Sequence, residues 1–245
     1  MRSPKIVLVI CALAIFSSRV LALQPGGRES GATASDGITA DWKNQQSPVI
    51  RFFPSPSPAE YEKAIDEDKG VLRARILLGG STIVEFHEQP KAIDFYDSTV
   101  VVSSPGGASK SYNIGDMVKH QALSLAHVGL VPLGEGSGLL VCEYEGGFVG
   151  AVGGFAILRY SPNSFDLHTL PLVEFGKVVV FKSKPDQAEV WSALPYPAGT
   201  DAQPMAYSTR ACRWEKNGYE CSPPKRKRGL YGPTAINDPG IEIRP

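Results

Sequence analysis

Hydrophobic positions along this 245-residue chain fall into three regimes. The first is an unbroken apolar run, Ile6 to Phe16, preceded by the basic residues Arg2 and Lys5. Val20 and Ala22 then stand at the −3 and −1 positions of a small-residue cleavage site, with the cut expected between Ala22 and Leu23. This three-part pattern predicts a secretory signal over residues 1–22. The run is too short to cross a hydrocarbon core of ~30 Å, which takes about 20 helical residues. A buried N-terminal helix is the competing reading, and the basic flank and cleavage-like end argue against it.

The second regime covers residues 23–57, of which Leu23 to Ser47 is poor in branched apolar side chains and rich in Gly, Ser, Gln and Asp. Such a segment buries too little surface to offset its ordering entropy, so a flexible leader is expected. Its end, Pro54-Ser-Pro-Ser-Pro58, reads as a stiff extended spacer. Ser57 has Glu60 three positions on and Pro58 at the first helical position, a capping-box start. A short helix from Pro58 to about Asp68 follows, stopped by Gly70.

From Val71 the pattern changes to short β-type runs. Leu72–Leu78, Thr82–Phe86, Ile93–Phe95, Thr99–Ser103, Leu139–Tyr144, Phe155–Tyr160, Phe165–Leu170, Lys177–Phe181 and Glu189–Leu194 are separated by turn-forming residues. One helix is expected to interrupt them. Asn113 caps it, and Ile114, Met117, Val118, Ala122 and Leu125 recur at helical spacing before Gly129. The organisation predicted is therefore a signal (1–22), a leader (23–57), a single mostly-β domain (58–222) and an irregular Pro- and Gly-rich tail (223–245). The fold class is all-β, a sandwich or partial propeller-like set of sheets with one or two short helices. Phe155–Ser161 and Lys177–Leu194 resemble paired strands of one propeller blade, yet no signature recurs at a fixed period.

Charge and cysteine content matter only once the signal is subtracted. The chain has 25 basic and 25 acidic residues; the signal carries Arg2, Lys5 and Arg19, leaving 22 basic against 25 acidic. That small acidic excess excludes the domain-wide basic surplus expected of a nucleic-acid binder. It also gives no strong attraction to anionic membranes. The longest later apolar stretch, Gly147 to Leu158, has twelve residues, so no membrane span is expected after signal removal.

Cys11 leaves with the signal, and Cys142, Cys212 and Cys221 remain. Asn217-Gly218 is a strong hairpin-turn signal. Folding there brings Cys212 and Cys221 opposite each other, and an exporting compartment would oxidise them as a structural staple. The nine-residue separation lacks the Cys-x-x-Cys arrangement of a redox site. Cys142, in an apolar strand, reads as a buried inert thiol. There is no Asn-x-Ser/Thr sequon, which tilts the expected location toward a bacterial periplasm or a secreted protein.

Candidate chemistry is sparse. His120 and His127, seven residues apart on the expected helix, would be about 10.5 Å apart along its axis, too far to share one zinc. A metal site would need tertiary convergence, and neither metal nor cofactor is expected. Gly134-Glu-Gly-Ser-Gly138 lacks the first glycine of a nucleophile elbow and reads as a hairpin loop. The Gly146–Gly154 stretch lacks phosphate-loop spacing, and a ligand site at Gly147, Gly150 and Gly153 with Glu143 and Glu145 is kept as an outside reading.

Glu143 with Glu145, or Asp94 with Asp97, are the carboxylate pairs available for acid–base work, although a solvated strand face looks the same. Trp191, Tyr196, Tyr207, Trp214 and Tyr219 offer stacking surfaces but are first of all core residues. The basic run Lys225-Arg-Lys-Arg228 reads as a solvated patch. These signs point to a secreted or periplasmic, non-enzymatic β protein whose partner is a protein, glycan or envelope component. One alternative is a hydrolase whose carboxylates converge only in the fold; another is a secretion-apparatus or envelope structural subunit.

Overall fold

The computed structural model describes residues 37–68, 70–92, 95–119, 123–146, 152–174, 176–193, 205–231 and 240–245. Along the chain, β1 (Ile38–Asp41) and β2 (Val49–Phe52) precede α1 (Pro58–Asp66). Next come β3 (Val71–Leu77), β4 (Ile83–Ala92), β5 (Phe95–Ser103), β6 (Ser109–Asn113) and α2 (Ile114–Val118). Then follow β7 (Leu123–Gly134), β8 (Ser137–Gly146), β9 (Val152–Ser161), β10 (Ser164–Thr169) and β11 (Val173–Glu174). The last set is β12 (Lys177–Phe181), β13 (Lys184–Ala193), β14 (Met205–Glu215), β15 (Gly218–Cys221), β16 (Lys225–Tyr231) and β17 (Ile241–Arg244). The protein is all-β with two short helices, as the pattern of short alternating runs predicts.

The strands form three sheets, each a four-stranded antiparallel meander extended by a strand from elsewhere. Sheet A runs β1-β3-β4-β5-β6, with β1 parallel to β3. Sheet B runs β10-β9-β8-β7-β2, with β11 also on β9. Sheet C runs β15-β14-β13-β12-β17, with β16 also on β14 and β17 parallel to β12. The meanders begin at Val71, Leu123 and Lys177, a structural repetition with no counterpart in residue identity.

Sheet B is the middle layer. From β8, Leu140, Cys142 and Tyr144 join Ile76, Val84, Phe86 and Val100 of sheet A in one core. The alternate residues Leu139 and Val141 join Phe155 and Ile157 of β9 and Val178, Val180 and Val190 of sheet C in another. A strand buried on both faces needs apolar residues at successive positions, which is why Leu139-Leu-Val-Cys142 does not alternate. The β7–β8 turn carries Gly134, Glu135 and Gly136, all at positive φ, so the glycine-rich stretch is the hairpin loop expected of it.

α1 starts as its sequence implies. The Ser57 hydroxyl accepts from the Glu60 N–H at 3.4 Å, and the Glu60 carboxylate accepts from the Ser57 N–H at 2.6 Å. The backbone bond to Ser57 and that to its hydroxyl hold the Glu60 carboxyl below its usual range.

Three expectations are corrected. The leader is not wholly unstructured: β1 pairs with β3 and β2 with β7. The tail is not irregular throughout: β16 pairs with β14 and β17 with β12. These added strands are held by main-chain bonds that every non-proline residue supplies, so neither the short apolar stretches of β2 and β17 nor the basic residues of β16 exclude them. The second helix is five residues long: it ends at Lys119, at φ 54°, and Leu125 belongs to β7 instead. Asn113 does cap it, accepting from the Asp116 N–H at 3.0 Å.

Candidate functional site

Two buried clusters of ionisable side chains stand out, and they differ in how completely their hydrogen bonds are met. The first joins Arg73 of β3 to Glu88 of β4 at 2.5 Å, both side chains almost fully buried. The guanidinium also donates to the Ser124 hydroxyl and to the carbonyls of Phe53, Pro54 and Leu125. Glu88 in turn accepts from the Tyr61 hydroxyl at 2.6 Å, the Leu125 N–H at 2.8 Å and the Ser124 hydroxyl at 3.0 Å. This network ties α1, the exit of β2 and the first two sheets together. Burial and the facing Glu88 carboxylate push the Tyr61 hydroxyl pKa up, while Arg73 opposes. Its polar groups answer one another, which is the signature of a structural clamp.

The second cluster is His127, Glu143 and Glu145, whose ligand-type atoms all lie within 4.8 Å of one another. Glu143 and Glu145 alternate on β8 on the face turned to sheet C, the side occupied by Val141. His127 reaches that face through a β-bulge. In the β7–β8 ladder Leu125 pairs with Tyr144 and His127 with Glu143, so Ala126 is the extra residue. Without it, Leu125 and His127 would share a face, since strand side chains repeat every two residues. The bulge re-aims the imidazole, a use of bulges found next to functional sites.

Around this cluster the partners run short. His127 is 2 % exposed and Glu143 3 %. Nδ1 of His127 lies 2.9 Å from Oε2 of Glu143, yet neither ring nitrogen has a hydrogen-bond partner. The contact is close enough for a hydrogen bond but off the direction of a ring N–H. Both oxygens of Glu143 lie near the Gly240 N–H, at 3.1 and 2.9 Å. A Cβ at position 240 would come 2.1 Å from Oε1 of Glu143, so any other residue there would displace that carboxylate.

Glu145 is half-buried; across the ladder it pairs with Gly153 of β9 on one side and with Ser124 of β7 on the other. Burial pushes its carboxyl pKa up to about 7; Glu143 adds to the rise and His127 opposes it. On the neighbouring edge strand Phe52, 42 % exposed, sets its ring 5.2 Å from that of His127.

The other sequence-selected residues separate from this point. Cys212 and Cys221 pair across β14–β15 with their sulfurs at bonding distance, 2.06 Å. Cys142 is buried and free, and burial pushes its thiol pKa far up. Asp97 lies in sheet A, which packs on the opposite face of sheet B. His168 contacts Asp166 at 2.8 Å, and His87 contacts Glu85 at 3.5 Å.

The late aromatics engage one another and nearby residues. Trp214 meets His168 and Tyr219 edge-on, while Trp191 stacks on Tyr207 with Lys177 Nζ 4.3 Å from its centroid. Lys225, Arg226 and Lys227 are exposed on β16, the solvated arrangement expected of the basic run. The 1–22 signal with its Ala22/Leu23 junction, and Asp94, His120, Gly147, Gly150 and Tyr196, lie outside the described residues.

Glu143 and Glu145 share one face of β8, as strand alternation dictates, and what the fold adds to them is His127. The residue that sequence reasoning misplaced is His127. Its signal was available: it is an ionisable residue in the middle of the apolar run Leu123–Leu133. Comparison with protein-family models, curated proteins and solved structures returns no match for this chain. Fold and site together describe a three-layer β protein with a buried imidazole–dicarboxylate cluster between its second and third sheets. No helix among the described residues is long and apolar enough to cross a membrane.

Proposed function

We propose that this chain is an exported β protein that acts by binding, and that its ligand sits at the His127–Glu143–Glu145 cluster. The observation that carries this reading is the buried imidazole with no hydrogen-bond partner at either nitrogen. A buried polar group left unmet costs about 1–3 kcal/mol. A ligand that engages a ring nitrogen offsets that cost, whereas the Arg73–Glu88 network has nothing left to gain from one.

The depth of the site supports binding over turnover. A glycoside hydrolase needs two carboxylates flanking the scissile bond, ~5 Å or more apart. Here Glu143 is buried against the Gly240 N–H, and Glu145 alone is half-open. Export is supported by the Cys212–Cys221 pair, since such bonds persist in oxidising compartments.

The test is mass spectrometry under native and denaturing conditions on the full chain as its host produces it, purified without chelator or histidine tag. A one-to-one mass excess seen only under native conditions, and lost in Glu145→Gln, is expected. A chain with no such excess that instead hydrolyses chromogenic glycosides in a Glu143-dependent way would overturn the proposal.

A further inference from the structure

We infer that the ligand at this cluster is a divalent transition-metal ion of the zinc class, held by one ring nitrogen of His127 and one oxygen each of Glu143 and Glu145. The inference rests on the binding reading above and adds the chemistry of the ligand. Three features of the site carry it.

The first is the contact between His127 and Glu143. A ring nitrogen and a carboxylate oxygen 2.9 Å apart without a hydrogen bond between them is an unfavourable arrangement on its own. It becomes favourable when a cation binds both. Ligand atoms ~2.0–2.2 Å from a zinc-like ion, at angles between octahedral and tetrahedral, stand about 3.0–3.5 Å from each other. The His127–Glu143 contact is close to that spacing before any ion binds. Glu145, for which no hydrogen bond or ion pair is found among the described residues, has its ligand atom within 4.8 Å of the other two, so a side-chain shift of at most ~1.3–1.8 Å brings it to the same spacing.

The second is charge. Two carboxylates and a neutral imidazole balance a divalent cation. Among the described residues no Lys or Arg is bonded to Glu143 or Glu145, whereas Glu88 has Arg73. Buried charges are normally paired or bound to a metal. The third is orientation. The Gly240 N–H fixes the Glu143 carboxylate from behind, as outer-shell donors do around metal ligands, and the bulge at Ala126 fixes the imidazole.

The donor set also selects the ion. Calcium takes six to eight oxygen ligands, and magnesium keeps most of its waters. A mixed nitrogen–oxygen triad with a position open on the Glu145 side suits zinc and its first-row neighbours, in the usual affinity order.

The experiment is zinc titration of the untagged full chain after stripping with chelator and desalting, read by calorimetry and by competition with a zinc-sensitive dye. Wild-type chain is expected to take up one zinc ion, with affinity at least tenfold weaker in both Glu145→Gln and His127→Gln. Millimolar calcium or magnesium should not compete. Glu145 is half-exposed, so Glu145→Gln keeps the test valid if the His127 variant does not fold; far-UV circular dichroism checks each.

No zinc uptake by the stripped wild-type chain overturns the inference. So does uptake that neither substitution weakens, which would place the ion elsewhere. A native mass excess that is lost in Glu145→Gln but contains no metal on elemental analysis overturns the metal assignment and leaves the binding reading standing. Absence of any excess and of zinc uptake overturns both.

Discussion

The Arg73–Glu88 clamp makes the sharpest stability prediction. Glu88→Gln keeps the side-chain shape, removes the negative charge beside the guanidinium, and sets an amide among four donors. Those donors are Arg73 Nη1, the Tyr61 and Ser124 hydroxyls and the Leu125 N–H. Both partners have side chains only 1 % exposed, so the cation left behind cannot recover hydration. Breaking one half of a buried pair costs about 3–5 kcal/mol.

For a body of this size, each kcal/mol lowers the unfolding temperature by roughly 2–4 °C, so a fall of about 6–20 °C is expected. Chemical and thermal unfolding followed by circular dichroism would measure it, with Arg73→Met and the double variant completing a cycle. The two losses should be strongly non-additive, because each substitution removes the same interaction. Added salt should change the result little, since the pair is shielded from solvent. Disrupting the surface pair Arg159–Asp186, which is half open to solvent, should cost no more than about 1 kcal/mol. Additive losses, or a Glu88→Gln cost below that of the surface pair, would refute the view that this network clamps the first two sheets.

Three further outcomes follow from the same structure. Cys142 should resist thiol reagents in the native chain at pH 8 and react on unfolding, because burial raises its thiol pKa; rapid native labelling would contradict its placement. Replacing Cys212 and Cys221 together with alanine should lower stability by about 2.5–3 kcal/mol in the chain-entropy model for a ten-residue loop; peptide mapping that recovers both thiols free from the exported chain would remove the basis for this estimate. N-terminal sequencing of the released protein should begin at Leu23, and an intact Met1 on a cytosolic product would count against export.

Some of this protein is legible in the order of its residues, because the physics involved is local. The capping box at Ser57–Glu60 acts within one turn of helix, and it is present as read. The β14–β15 hairpin forms where the Asn-Gly signal stands but turns one residue earlier, at Lys216-Asn217, with Gly218 at φ 134° already paired to Glu215; the cysteines end up opposite each other because strand register propagates from the turn. Alternating and fully apolar runs mark the strands, since burial on one or both faces dictates the side chains.

What the sequence leaves open is long-range. β1, β2, β16 and β17 are short, polar or near charged residues, and become strands by adding main-chain bonds to sheet edges; backbone groups are the same in every residue. α2 stops early as helical spacing in Met117–Leu125 yields to β7, whose burial between two sheets outweighs propensity. The convergence of His127 with Glu143 and Glu145 depends on one extra residue in a ladder, Ala126. Strand pattern alone would put His127 on the face of Leu125, toward sheet A. The register shift that reverses it is decided by pairing between β7 and β8, and so the candidate site exists only in the folded structure.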